Sequence, residues 1–482
     1  MNLHCFTLQD LTQEATLRCD AKYLAQDRIA SEEDCYTFND LFSLVDDDKV
    51  NIENLADVDF EYVEIGDVTS ANDIVPVSLN FSYRNELNEN YFAKIEKGDI
   101  IKATPGDILI SKVRPYLKKI ILIDEKSSKY YYTSAFVHIR PKRSNLLLYY
   151  ALKTVFIDNL NCLSREGKGY PTLNERDLKY LKLNKQYLDL LFKNENKLLP
   201  IINNKISEIA IIKNQIINEK DIINKTFIDF FNWNIKGFEK EKSQKKFKIN
   251  MSDISSNYDL RFSPKFHRPA GEYVLKEINK NNCKRIKEYL SDPIVLGASV
   301  SPSDFDDNGE YYYLSMASIK NWVVELDDTQ LLSSHYTSIE KNFNKKVEKG
   351  DIIMSRSGVA IGKFAIVNED INAIHSDFTM RIRLKNINIH FSYYYFRSIF
   401  FQYLIEVNYK GMQNNNIFPN QIQDFIIPEI SDEEQSLIAN QIYNEIEIQN
   451  NYRKKIKELQ NSIATIFIEY GINKYHIVPG SV

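Results

Sequence analysis

The chain has 482 residues, 43% of them hydrophobic and 26% charged, with a net charge of −5 at neutral pH. That length is too great for a single core and calls for two large domains, while only 15 glycines argue against a long flexible or low-complexity stretch. No apolar run approaches the roughly 18 residues of a membrane span, and the N-terminus lacks the basic start and apolar core of a signal peptide. Five widely spaced cysteines without a C-x-x-C pair read as reduced thiols, so a cytoplasmic protein that does not cross a membrane is expected.

The charge is uneven. Ser31 to Ser70 holds thirteen Asp or Glu against the single Lys49, and Lys102 to Arg143 holds ten Lys or Arg against three acids. The basic segment carries Tyr116, Tyr130, Tyr131, Tyr132 and Phe136, a combination suited to following a phosphate backbone. It suits a solvated face equally well, and charge alone leaves both readings open.

Taken in order, the chain presents one unit and then presents it again. PGDILISKVRPYLKKIILIDE from Pro105 is matched by KGDIIMSRSGVAIGKFAIVNED from Lys349. Gly106, Asp107, Ser111, Lys112 and Lys119 fall on Gly350, Asp351, Ser355, Arg356 and Lys363, all at an offset of 244 residues. YTSAFVHIRPK from Tyr132 resembles IHSDFTMRIRLK from Ile374, Tyr149 and Tyr150 correspond to Tyr394 and Tyr395, and Leu173 and Leu178 fall on Ile417 and Ile422. Earlier matches are weaker: Leu17–Leu24 with Tyr258–Pro264, and the segment from Phe60 with that from Tyr311. Gly-Asp before an alternating apolar run predicts a tight turn into a strand, with Ile108 and Ile110 on one face and Ile352 and Met354 on the equivalent one. Strands and helices interleave within each unit, which gives an α+β fold with two tandem globular domains of about 190 residues each.

Between the copies lies an isoleucine-rich stretch from Leu198 to Phe231. Ile202, Ile206, Ile209, Ile216, Ile223 and Phe227 trace one stripe of a helix. Nothing inside it reads as a breaker, with Pro200 placed at the start, where a missing N–H costs little. A second long helix follows the second copy. Ser431 to Glu434 has capping-box spacing, and Ile438, Ile442, Tyr452, Ile456, Leu459, Ile463, Ile466 and Tyr470 lie on a heptad grid interrupted by Glu445 and Gln449. The two helices end alike, TFIDFF from Thr226 and IFIEYG from Ile466, and pairing as an antiparallel coiled coil is expected. The expected organisation is domain 1 over 1–185, a central helical spacer over 186–234, domain 2 over 235–430, a C-terminal spacer over 431–474 and a tail from 475.

Motifs for chemistry fail one by one. Gly358 to Phe364 has three residues between its glycines and Phe364 after Lys363, so it does not form a phosphate loop. The absence of adjacent prolines excludes the Asp/Asn-Pro-Pro-aromatic motif of amino-methyltransferases, and seven scattered histidines offer no zinc pattern. His375, Ser376 and Asp377 are adjacent on a strand and point to alternate faces, so they do not converge as a triad. Glu239 and Glu241 precede lysines only within a charged run. No catalytic residue and no metal ligand is assigned.

What remains are polar loops placed equivalently in the two units. Ser111, Lys112, Arg114, Lys118 and Lys119 correspond to Ser355, Arg356, Gly358, Gly362 and Lys363, with Ser357 inside the second loop. Arg165, Lys168, Tyr170 and Thr172 correspond to the loop bearing Lys410, Gln413, Asn414, Asn415 and Asn416. Arg, Lys, Asn and Gln are the side chains that read base edges. The loops agree in position and differ in composition, as two readers of different sequences would, and these residues other than Gly358 and Gly362 are the DNA-binding candidates.

At this point the chain resembles the specificity subunit of a type I restriction–modification system. The resemblance covers nearly the whole length and rests on the duplicated Gly-Asp-Ile segments, the loops leading to Leu178 and Ile422, and the two spacers. The ending around Pro428, Glu434 and Gln435 is similar to the family's proline, Glu-Gln, helix pattern. The first copy departs from it, with LKLNKQYLDLLFKNENKLLP where that pattern should stand. The resemblance implies target-recognition domains that each read half of a split double-stranded DNA site, and spacers that set the separation and dock two methyltransferase subunits. It implies a subunit without catalysis or cofactor of its own, S-adenosylmethionine, ATP and Mg²⁺ belonging to methyltransferase and restriction (translocase/nuclease) partners. A spacer of roughly 45 Å is comparable to a DNA turn of about 34 Å plus domain width. A coiled-coil adaptor without DNA specificity and a divergent nuclease acting alone are the competing readings.

Overall fold

Each Gly-Asp segment leads into the middle strand of a sheet, and each unit is arranged around that strand. The computed structural model describes residues 34–46, 50–69, 73–84, 88–166, 170–255, 261–320, 322–327, 329–333, 336, 340–411 and 415–475. The segment at Leu17–Leu24 and the start of its counterpart at Tyr258 lie outside them. The chain divides into two compact units, one comprising residues up to 215 together with those from 452, the other residues 216–451.

The first unit contains β1 (Cys35–Thr37), β2 (Phe42–Leu44), β3 (Phe60–Val63), β4 (Val77–Leu79), β5 (Ile108–Ser111), β6 (Ile120–Leu122), β7 (Tyr131–Tyr132), β8 (Phe136–Pro141), β9 (Arg165–Glu166), β10 (Pro171–Thr172) and β11 (Lys182–Asn184). Its helices are α1 (Phe38–Leu41), α2 (Glu89–Glu96), α3 (Asn145–Thr154), α4 (Ile157–Leu163), α5 (Lys185–Lys193) and α6 (Glu195–Gln215). An antiparallel sheet runs β2-β8-β5-β6, and a second runs β4-β3-β7 with β3 and β7 parallel.

The second unit contains α7 (Glu219–Phe231), α8 (Ile235–Lys242), α9 (Met251–Ser255), α10 (Pro269–Ile278), α11 (Ile389–Phe396), α12 (Ile399–Asn408) and α13 (Pro419–Gln423). Its strands are β12 (Cys283–Arg285), β13 (Val295–Leu296), β14 (Tyr311–Leu314), β15 (Ile319–Lys320), β16 (Val323–Val324), β17 (Leu331–Leu332), β18 (Ile352–Ser355), β19 (Phe364–Ile366), β20 (Ala373–His375), β21 (Thr379–Ile382) and β22 (Ile426–Pro428). The order β13-β21-β18-β19 repeats β2-β8-β5-β6, and β17-β14-β20, again with one parallel pair, repeats β4-β3-β7. The pairing β12-β22 likewise repeats β1-β11. The duplication read from residues is a duplication of topology.

Strands β5 and β18 are buried along their whole length, beyond the one apolar face expected. Ile352 and Met354 enter one core with Phe364 and Phe391, while Ile353, pointing the other way, packs in a second with Leu314 and Ala365. A strand covered on both faces reads as a continuous apolar run, which is what ILI and IIM are.

The central stretch corrects an expectation. It is not one unbroken helix: α6 ends at Gln215, α7 begins at Glu219, and Pro200 lies inside α6 rather than at its start. Asn218 caps α7 by accepting the Lys220 N–H at 2.9 Å. The Ile217 N–H is satisfied at 2.9 Å by Oε1 of Gln449, a side chain only 2% exposed. The apolar stripe survives the break, with Ile202, Ile209, Ile223 and Phe227 buried.

The last helix, α14 (Asp432–Tyr475), contributes to both units. Within the first, the α5–α6 segment runs antiparallel to its later part: the Tyr187 hydroxyl donates to the Phe467 carbonyl at 3.0 Å, and Glu208 lies 3.9 Å from Lys455. Within the second, Ile222, Ile223 and Phe227 of α7 share a core with Ile438, Ala439 and Ile442. Ser431 and Glu434 form the expected capping box.

Candidate nucleic-acid interface

The site begins at the Gly-Asp turn. Gly106 and Gly350 have φ of +95° and +92°, a left-handed conformation that a side chain disfavours. The following aspartate closes the turn: Asp107 accepts the Thr104 N–H at 2.9 Å, and Asp351 accepts that of Glu348 at 2.7 Å. An arginine from the neighbouring strand then grips each carboxylate with two nitrogens, Arg140 at 2.7 and 3.0 Å and Arg383 at 2.7 and 2.8 Å. Burial alone would raise the Asp107 pKa, but hydrogen bonds from His138, Arg140 and Thr104 outweigh it and hold the carboxyl well below its usual range. One end of each central strand is thereby fixed, and the polar loop leaves from the other end.

That loop meets the second polar loop of its own unit through backbone bonds repeated at the 244-residue offset. In the first unit Val113 bridges Thr172, Arg114 N–H donates to Pro171 at 2.9 Å, and Leu173 N–H donates to Lys112 at 2.7 Å. In the second, Ser357 bridges Asn416, Gly358 N–H donates to Asn415 at 3.2 Å, and Ile417 N–H donates to Arg356 at 2.9 Å. The structure therefore brings the two predicted loops together in each unit. Nothing in a linear spacing of some sixty residues required it.

Several candidates have other employment. Ser111 and Ser355 are 1% and 0% exposed, closed in by the sheet, so neither hydroxyl can meet a macromolecule, and both are withdrawn. Lys112 donates to the Ser134 carbonyl at 2.6 Å and pairs with Glu175 at 2.7 Å. Lys119 donates to the Ile65 carbonyl, and Arg165 clasps the fully buried Asp177 at 2.7 and 2.8 Å. Ser357 is buried against Met316. Lys410 and Asn416 exchange backbone hydrogen bonds at 2.7 and 2.6 Å, and Asn415 serves through its carbonyl, while Thr172 lies in β10, half buried. Lys168, Gln413 and Asn414 lie outside the described residues.

Arg114, Lys118, Tyr170, Arg356 and Lys363 form the reachable remainder. The Arg114 guanidinium lies over the Tyr170 ring at 5.4 Å, and Tyr116, Leu117 and Tyr170 are exposed beside it. In the second unit Arg356 donates through Nε to the Asp377 carbonyl at 2.8 Å and lies 5.8 Å from the Phe418 ring. The sequence reading passed over two exposed aromatics here, Phe378 and Phe418. Phe418 falls on Asn174 at the 244-residue offset, a large-for-small exchange legible in the sequence, whereas Phe378 matches Phe136 in sequence and stands opposite Ala135 only in the strand register.

His375 is fully buried, hydrogen-bonds Thr379 at 3.1 Å, and is pushed down to about 3 by burial and by neighbouring Arg381 and Lys345. It is a core histidine, as the strand alternation argued. Among the described residues no cluster of His, Cys, Asp and Glu is disposed to hold a metal, and no helix is long and apolar enough to cross a membrane.

Residues 293–460 match the family model of the type I restriction modification DNA specificity domain. No curated protein matches the chain. Among solved structures, a chain described for complex assembly and conformational transition of the type I R-M system aligns at 14% identity, covering 90% of this chain and 96% of its own, with a TM-score of 0.42. The HsdS subunit from Thermoanaerobacter tengcongensis aligns at 13% identity, 90% and 95% coverage and a TM-score of 0.32. The type I S subunit from M. genitalium aligns at 12%, with 90% and 95% coverage and a TM-score of 0.40. Residues 293–460 thus belong to the family of the type I restriction modification DNA specificity domain, and the first unit repeats the topology of the unit that carries them.

Proposed function

We propose that each unit reads one half of a bipartite double-stranded DNA target through its paired loops. The observation that carries this reading is the loop-to-loop ladder, repeated at one offset while the reachable side chains are Arg114, Lys118 and Tyr170 in one unit and Arg356 and Lys363 in the other. Conserved backbone with exchanged side chains is what two readers of different half-sites require, since phosphate contacts position and base contacts specify.

In the same reading α6, α7 and α14 act as spacer and docking surface for two methyltransferase subunits, with restriction subunits joining them in the cytoplasm. Exposed apolar side chains on these helices, Ile201, Ile211, Leu437 and Ile448, suit that docking. The recognition domains are taken as 1–185 and 235–430, with spacers over 186–234 and 431–474. S-adenosylmethionine, ATP and Mg²⁺ serve in the partners.

The test is co-expression with cognate methyltransferase subunits followed by methylation-sensitive sequencing. An adenine-methylated bipartite motif is expected, and exchanging residues 1–185 for those of a relative should change one half of it alone. An unchanged motif after the exchange, or an assembled complex that shifts DNA without sequence preference, would sink the reading and favour an adaptor.

A further inference from the structure

Equivalent points in the two ladders carry Lys112 and Arg356, and their surroundings differ in kind. Lys112 is neutralised by Glu175, whereas the residue at Glu175's position in the second unit is Pro419. Arg356 makes no ion pair among the described residues. Its guanidinium is nevertheless held: Nε donates to the Asp377 carbonyl at 2.8 Å, Nη1 stands at a long 3.5 Å from Asn416 Oδ1, and the Phe418 ring lies 5.8 Å from its central carbon. Nη2 has no hydrogen-bond partner among the described residues. Phe378, whose carbonyl receives the Arg356 backbone N–H at 3.1 Å, is 51% exposed, and Phe418 is 39% exposed. Two large aromatics are thus left in water at this loop, Phe418 near the guanidinium and Phe378 joined to the Arg356 backbone.

We infer that Arg356 reads a guanine in the half-site of the second unit, with Phe378 and Phe418 forming apolar walls against the adjoining base. The inference rests on the two-reader proposal and names the residue that carries the second reader's discrimination. Guanine offers O6 and N7 as paired acceptors in the major groove, and the fork of an arginine matches them where the point charge of a lysine does not. Anchoring Nε in advance reduces the side-chain freedom lost on binding. The aromatic faces offer contact with a thymine methyl or an unstacked base.

The test uses the assembled methyltransferase complex carrying Arg356→Lys, Arg356→Gln, Phe378→Ala or Phe418→Ala, with methylation of a library of target variants read by sequencing. Both arginine variants should relax one G·C position in the second unit's half of the motif by about ten- to a hundredfold, leaving the other half unchanged. The phenylalanine variants should relax the same or the neighbouring position less. Should Arg356→Gln fail to assemble, Arg356→Lys decides, since it retains charge and loses the fork. Full discrimination in Arg356→Lys, uniform weakening at all positions, or a second half-site without a G·C pair overturns the inference and leaves the two-reader proposal standing. A wild-type complex without a bipartite motif overturns both.

Discussion

Phe227 and Phe467 occupy matching places near the ends of the two long helical segments, yet each serves the unit that the other's segment follows in the chain. Phe227 comes after the first copy and packs in the second unit, 5.8 Å from Tyr395. Phe467 comes after the second copy and packs in the first unit, 5.5 Å from Tyr150, the residue aligned with Tyr395. The ring-on-ring contact is preserved while the chain order is exchanged. A helix that begins beside one copy thus completes the core of the other, which is why the first unit closes only when residues from 452 are included. The difference teaches that sequence neighbourhood and core membership are separate properties here.

The largest effect that would break this comparison is a cavity. Phe227→Ala and Phe467→Ala each remove a fully buried ring and should cost about 3–5 kcal/mol. Hydrogen exchange read by mass spectrometry should show Phe467→Ala loosening the first unit, despite its position near the end of the chain, and Phe227→Ala the second. The opposite assignment would refute the exchange.

A smaller effect sharpens the comparison of the two Gly-Asp turns. Asp107→Asn removes the charge that Arg140 and His138 grip, and because Arg140 is half exposed the loss should be about 2–3 kcal/mol. Since the folded-state pKa is lowered, the carboxylate's contribution is present above the unfolded value of about 4 and is lost as pH falls below it. Acid denaturation followed by circular dichroism should therefore show a steeper loss for the wild type than for the variant below about pH 4.

The smallest effect concerns the break between α6 and α7. Gln449→Leu would leave the Ile217 N–H without its acceptor and should cost about 1–2 kcal/mol in thermal melts. No change would mean that water satisfies that N–H.

Much of the fold was legible because duplication writes a pattern twice. Gly106 and Gly350, with Asp107 and Asp351, marked the turns through the backbone conformation they favour, and the offset of 244 foretold which backbone groups would be equivalent. The site was legible as two loops per unit but not as a set of reachable side chains. Ser111 and Ser355 looked available because a serine after an apolar run resembles the start of a loop, yet both are sealed by neighbouring strands. Arg165 looked like a base reader, and its partner Asp177 stands twelve residues away, across a turn that periodicity does not describe. The break after Gln215 was missed because the local cap, Asn218, was passed over and because the acceptor that satisfies the Ile217 N–H, Gln449, lies far along the chain.

By itself the sequence determined that there are two like α+β units, where their central strands begin, and that long amphipathic helices join them. These properties follow from local conformational preference and apolar periodicity, which neighbouring residues carry. The tertiary structure alone decided which helical segment completes which core, which cations are spent on internal carboxylates, and that Arg356 is anchored with no ion pair among the described residues. Such outcomes depend on partners brought from distant positions, and burial or charge compensation is settled only once those partners meet.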